Sequence, residues 1–164
     1  MNTYLITSKD LDKDNFYIGS TDLRDYNGHI ECSEDLGTVH FKQGVKASGY
    51  IYFKKCSGIT AGDGITAGWD ITAFWGITAG SGITAGSGIK CKLILDVKLR
   101  IFAGTCTWRL PTDDEMTITC GKLASGTIAY GTLVETGLPE DKPTPTCNDK
   151  EVVIDGITYI LKLK

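Results

Sequence analysis

No apolar run in the chain approaches the roughly 18 residues that a membrane-crossing helix needs, so no span is expected. The first ten residues, Met1 to Asp10, lack a basic flank, an apolar core and a small-residue cleavage site. They do not read as a secretory signal, and a cytoplasmic location is the expectation. Proline is scarce, at four residues, and glycine does not recur at every third position, which excludes a collagen helix. Histidine is scarcer still, with only His29 and His40. No Gly-x-Ser-x-Gly, phosphate-loop or His-Glu-x-x-His motif marks a catalytic site. None of the six cysteines (Cys32, Cys56, Cys91, Cys106, Cys120, Cys147) stands in a Cys-x-x-Cys pair. Free, buried thiols are therefore expected. A zinc site from His29, Cys32 and His40 would lack both a standard spacing and a fourth ligand. No metal, cofactor or catalytic residue is assigned. At 164 residues with 23% charged and 41% hydrophobic residues, the chain suits one folded domain rather than disorder.

What the sequence does have is glycine, 20 residues, and nine of these fall between Ser57 and Gly88. There the chain repeats nearly every six residues, through Ile59-Thr60-Ala61-Gly62-Asp63-Gly64, Ile65-Thr66-Ala67-Gly68-Trp69-Asp70 and Ile71-Thr72-Ala73-Phe74-Trp75-Gly76. Ile77-Thr78-Ala79-Gly80-Ser81-Gly82 and Ile83-Thr84-Ala85-Gly86-Ser87-Gly88 follow, and Ile89 opens a sixth block. Short fixed periods mean stacked architecture. Ile-Thr-Ala is strand-prone and alternates, with isoleucine and alanine to one side and threonine to the other. Gly-x-Gly then supplies a corner. A helix would lose about 1 kcal/mol at each glycine. The fold class is therefore mainly all-β, a β-solenoid of six-residue repeats with β-rich N- and C-terminal caps.

Three hexads per turn would give an 18-residue triangular coil with Ile59 under Ile77. Two would give a flattened 12-residue coil, which leaves little room for a core, so three are favoured. Handedness stays open. The phase extends upstream through Val39, Val45 and Ile51 with a two-residue slip before Ile59, and downstream to Leu95 and Ile101. Lys90–Ile101 reads equally well as one long amphipathic strand. The organisation expected is an N-terminal cap over 1–38, the solenoid over 39–106, clearest at 59–89, and a C-terminal β-rich region over 107–164. This last region ends in a hairpin whose turn is Asp155-Gly156, after a charged, proline-rich loop from Pro139 to Pro145.

The net charge of −3 conceals segregation. Residues 39–56 hold four lysines and no acid, and residues 89–101 hold four bases against Asp96. Between these basic bands the repeat breaks at two consecutive corners, Trp69-Asp70 and Phe74-Trp75. Two readings of these rings stand, an exposed aromatic surface for a partner or packing beneath a cap. Trp108 and Tyr50 could join either. The candidate partner-binding residues are Trp69, Asp70, Phe74 and Trp75, with Lys54, Lys55, Lys90 and Lys92 beside them. A protein partner is the first expectation, nucleic acid at the lysine bands a weaker one, and a homo-oligomer through open solenoid edges an alternative. The outward threonines resemble an ice-binding array, but a triangular coil would spread them over three faces.

The Gly-Ile-Thr-Ala-Gly run, Gly28-His29-Ile30-Glu31, Leu36-Gly37-Thr38-Val39-His40-Phe41 and Val45-Lys46-Ala47 resemble small uncharacterised proteins of gut bacteria, their phages and mobile elements. Those proteins carry Gly-Ile-x-Ala-Gly repeats, and the likeness spans roughly residues 1–105. It carries no activity with it. By analogy with small phage proteins that lack catalytic motifs, it implies an inhibitor of a host defence complex such as a CRISPR effector. Two alternatives remain: a self-assembling structural solenoid, and a hexapeptide-type acyltransferase using His40.

Overall fold

The structure is a computed structural model. It describes residues 1–54, 57–139, 150–154 and 157–161, the last two segments as backbone only. The first strands are β1 (Asn2–Ile6), β2 (Gly28–Cys32), β3 (Thr38–Phe41), β4 (Val45–Ala47) and β5 (Ile51–Phe53). The hexads follow as β6 (Gly58–Ala61), β7 (Ile65–Ala67), β8 (Ile71–Ala73), β9 (Ile77–Ala79), β10 (Ile83–Ala85) and β11 (Ile89–Cys91). The chain then forms β12 (Ile94–Phe102), β13 (Thr117–Cys120), β14 (Lys122–Tyr130), β15 (Thr132–Glu135), β16 (Lys150–Ile154) and β17 (Ile157–Leu161). The helices among the described residues are two three-residue 3-10 turns, Ser8–Asp10 and Asp114–Met116, neither long nor apolar enough to cross a membrane.

Among the strands β1 to β15 every strand–strand pairing is parallel, and they stack into three faces. Face I stacks β3, β6, β9 and the start of β12, and face II stacks β4, β7, β10 and the end of β12. Face III runs β1-β2-β5-β8-β11-β13-β15. Ile59 pairs with Ile77, Ile65 with Ile83 and Ile71 with Ile89, each eighteen residues apart. The coil is therefore triangular, three hexads to the turn. Val39, Val45 and Ile51 sit twenty residues below their partners Ile59, Ile65 and Ile71, which is the two-residue slip.

The inside of the coil follows from alternation. Each Ile-Thr-Ala strand buries its isoleucine and alanine and leaves its threonine half-buried on the outer surface. The isoleucines from Ile59 to Ile89 are at most 1% exposed, and each such burial stabilises by about 1.5–3 kcal/mol. Alanine suits the second inward position because it ends each strand beside a corner, where two walls meet and leave little room. The corners are tighter still. A Cβ on Gly80 would lie 1.9 Å from the Gly62 carbonyl oxygen, and one on Gly86 would lie 1.8 Å from that of Gly68. These glycines are needed because backbone stacks directly on backbone.

The strand β12 resolves the ambiguity downstream of Ile89. Lys90–Ile101 is not one strand: β11 ends at Cys91, and β12 bends across a corner, pairing Leu95–Val97 with β9 and Ile101 with Ile83 of β10. Ile89 pairs with Ile118, twenty-nine residues on, so an insertion lies in this coil before β13. At the other end, residues 11–27 cover the starting edges: Tyr17 N–H donates to the His40 carbonyl and Tyr26 N–H to that of Lys46. The strands β16 and β17 pair antiparallel with Ile154 opposite Ile157, a hairpin. Its expected turn, Asp155-Gly156, lies outside the described residues, as do positions 140–145 of the proline-rich loop.

Candidate functional site: face III and its rims

Face III gathers the repeat violations and the lysines. Its floor is the outward row Glu31, Tyr52, Thr72, Lys90 and Thr119, aligned through β2, β5, β8, β11 and β13. Strands of three residues make this floor about 10 Å across, and strand stacking spaces its rows by about 4.8 Å.

The leading rim lies at the starts of the strands, just before their inward isoleucines. His29 stacks on Tyr50, with centroids 4.0 Å apart and planes 19° from parallel. Trp69 tilts onto both, at 5.0 Å from His29 and 6.4 Å from Tyr50. The Tyr50 N–H donates to His29 Nδ1 at 3.1 Å, and the Tyr50 hydroxyl donates to Glu31 Oε1. That bond, with some burial, pushes the Tyr50 phenol above its ordinary pKa. Asp70 is also on this rim, and its Oδ1 accepts the Gly88 N–H of the next coil at 3.2 Å.

The trailing rim follows the strands. Because Phe53 pairs with Ala73 and Ala73 with Cys91, the next residues Lys54, Phe74 and Lys92 form a column on three successive coils. Lys92 Nζ lies 4.9 Å from the Phe74 centroid, and Lys54 Nζ lies 4.7 Å from that of Tyr52. Lys54 also reaches Glu31 Oε2 at 3.8 Å. Phe74 occupies the corner position held elsewhere by Gly62, Gly68, Gly80 and Gly86. Its N–H donates to the Phe53 carbonyl as the Gly80 N–H does to that of Ala61, so the backbone path is kept.

The aromatic residues thus divide between two rims. Trp69 and Phe74 are exposed, at 39% and 40%, on opposite sides of the floor. Trp75, in the same corner as Phe74, is half-buried, its N–H bonded to the Ser57 carbonyl and its carbonyl accepting from Lys92 and Leu93. Tyr50 joins Trp69. Trp108, 62% exposed, stands apart on the insertion before β13. Lys55 lies outside the described residues.

Between the rims are two adjoining hollows of about 340 and 410 Å³, both lined by Tyr52, Thr72 and Lys90. Phe74 and Lys92 border one, and Asp70 and Tyr50 the other. The small Thr72 side chain between Tyr52 and Lys90 opens the depression. Sequence reasoning missed His29, Glu31 and Tyr52. Their signal is the hexad phase carried back to Ile30 and Ile51, which aligns His29, Tyr50 and Asp70 immediately before their inward isoleucines.

The histidines serve different walls. His40 is half-buried on β3 of face I, its ring 5.2 Å from Phe16. Cys32 points into the core, where its thiol contacts the Ser57 hydroxyl at 3.6 Å and burial pushes its pKa up. Among the described residues no group of three His, Cys, Asp or Glu side chains is placed to hold a metal ion. Cys91, beside Cys120 in the core, is pushed up to about 12 by burial and then by its neighbour. No family model, curated protein or solved structure matches this chain.

Proposed function

We propose that the protein is a non-enzymatic protein-binding module that engages its partner through face III. The observation that carries this reading is convergence. Every exposed departure from the hexad, at Trp69, Asp70 and Phe74, borders one face whose floor and trailing rim carry Lys54, Lys90 and Lys92. Exposed tryptophan and phenylalanine around a hollow are what binding hot spots are built from. Taken with the resemblance to phage and mobile-element proteins, the specific form we propose is an inhibitor of a host defence complex such as a CRISPR effector.

The test is a capture experiment on the whole chain, comparing wild type with a Trp69→Ser/Phe74→Gly variant. Both substitutions copy residues of neighbouring repeats, so the variant should fold and stop capturing the partner. A folded variant that retains the same partner overturns the reading. Should it unfold, Lys90→Glu/Lys92→Glu asks the same question with surface charges alone.

A second reading, self-assembly through the open end of the solenoid, draws support from the last coil. Leu123, Ile128 and Leu133 are inward residues there that stay only partly buried. Sedimentation over a concentration series separates the two: a monomer at every concentration removes self-assembly.

A further inference from the structure

We infer that the occupant of the face III groove is an extended acidic segment of the partner polypeptide. The inference rests on face III being the partner surface and adds the chemistry of what docks there.

The first argument is charge. Glu31 is paired with Lys54 and accepts from Tyr50, whereas Asp70 and, on β15, Glu135 each accept one backbone N–H, from Gly88 and Leu123. Among the described residues, Lys90 and Lys92 form no ion pair. The hollow beside Phe74 is lined by Lys54, Lys90 and Lys92 and by no acid, so its free charge is cationic, with Lys90 on the floor and Lys92 on the rim. Lys54 continues the column on the other side of Phe74.

The second argument is shape. A floor of about 10 Å admits one extended polypeptide but no duplex. The hollow over Thr72 gives a side chain a seat between the Tyr52 ring and the Lys90 stem, beside Phe74. An acidic strand with an occasional apolar residue meets both features, carboxylates toward Lys90 and Lys92 and an apolar side chain toward Thr72.

Single-stranded nucleic acid fits less well. Its binding sites pair free aromatic faces with dense positive charge. Here ammonium groups already cover the rings of Tyr52 and Phe74. The face carries no arginine in its floor row or along either rim.

Fluorescence anisotropy with labelled oligoglutamate, oligolysine and oligothymidylate tests this on the intact protein. Wild type should bind oligoglutamate, more weakly as salt rises, and leave oligolysine unbound. Lys90→Glu/Lys92→Glu should weaken binding about tenfold or more, as loss and reversal of two charges implies. Thr72→Trp, which fills the hollow without altering charge, should weaken it too. No binding of oligoglutamate, equal binding by the lysine variant, or tighter binding of oligothymidylate would each overturn the inference. If it falls while Trp69→Ser/Phe74→Gly still loses the cellular partner, only the acidic character is wrong. If that variant keeps its partner, the reading of face III falls with it.

Discussion

Lys92 holds its ammonium 4.9 Å from the centroid of the Phe74 ring, and the two residues are one full coil apart. The contact exists because the turn takes eighteen residues, so a side chain at one corner meets its counterpart on the next coil. It explains how a phenylalanine occupies a position that is glycine in its neighbours. The ring has a cation to lie against on the coil above, and Lys54 occupies the same position on the coil below. An exposed cation–π contact of this kind contributes about 0.5–1 kcal/mol. Phe74→Gly should therefore lower stability by no more than about 1 kcal/mol in urea unfolding while removing partner capture. A much larger loss would mean that the ring holds the fold together.

The corner glycines should behave in the opposite way. Gly86→Ala forces a Cβ against the Gly68 carbonyl, which belongs to stacked backbone and cannot swing aside. A loss of about 1–3 kcal/mol is expected, the usual cost of overpacking. Ser81→Ala, at a half-buried corner position, should stay within about 0.5 kcal/mol. Chemical denaturation of the two variants side by side checks this.

Burial along the isoleucine ladder predicts a graded core. Ile77→Ala, with a fully buried side chain stacked between Ile59 and Leu95, should cost about 2–5 kcal/mol. Leu133→Ala, on the last strand of face III among the described residues and only partly buried, should cost less. Equal losses at both positions would mean that something covers the open end.

Thiol reactivity should sort by position. Burial and the adjoining Cys120 hold the Cys91 thiol neutral to about pH 12 in the folded chain. Alkylation followed by peptide mapping at pH 8 should leave Cys91 unlabelled and label the half-buried Cys106 ahead of the buried Cys32, Cys91 and Cys120. In denaturant Cys91 should label near the ordinary thiol pKa. Because its folded pKa is raised, ionisation of Cys91 favours unfolding as pH rises above the unfolded value. Stability should therefore decline on the alkaline side of about pH 8.5.

The insertion before β13 carries an acid-sensitive clasp. Arg109 forks onto the Glu115 carboxylate, which also accepts the Thr112 N–H and hydroxyl. The Arg109 bonds come first in holding Glu115 at about 2. A lowered folded pKa means the clasp is fully formed above the unfolded carboxylate value. It is lost as pH falls from about 4.5 toward 2. In a Trp69→Phe/Trp75→Phe background, Trp108 emission should change across that window, and Glu115→Gln should remove the transition.

The hexad from Ile59 to Ile89 determined its own local structure. Period-two alternation decides which side chains turn inward. Glycine at fixed phase marks each corner, and the six-residue spacing makes stacking the only way to bury the isoleucines. The slip before Ile59 was equally legible, because Val39, Val45 and Ile51 keep the phase on either side of it. Tertiary structure alone decided who meets whom. His29 and Trp69 are forty residues apart and touch because the coils between them stack in register. Phe74 and Trp69 look like neighbours in sequence yet stand on opposite rims, since a whole strand separates their corners. Trp108 carries the same side chain as Trp69, but the extra length of its coil lifts it away from face III. A repeat fixes the path of one coil, whereas a binding surface here runs across several, and only stacking brings those coils together.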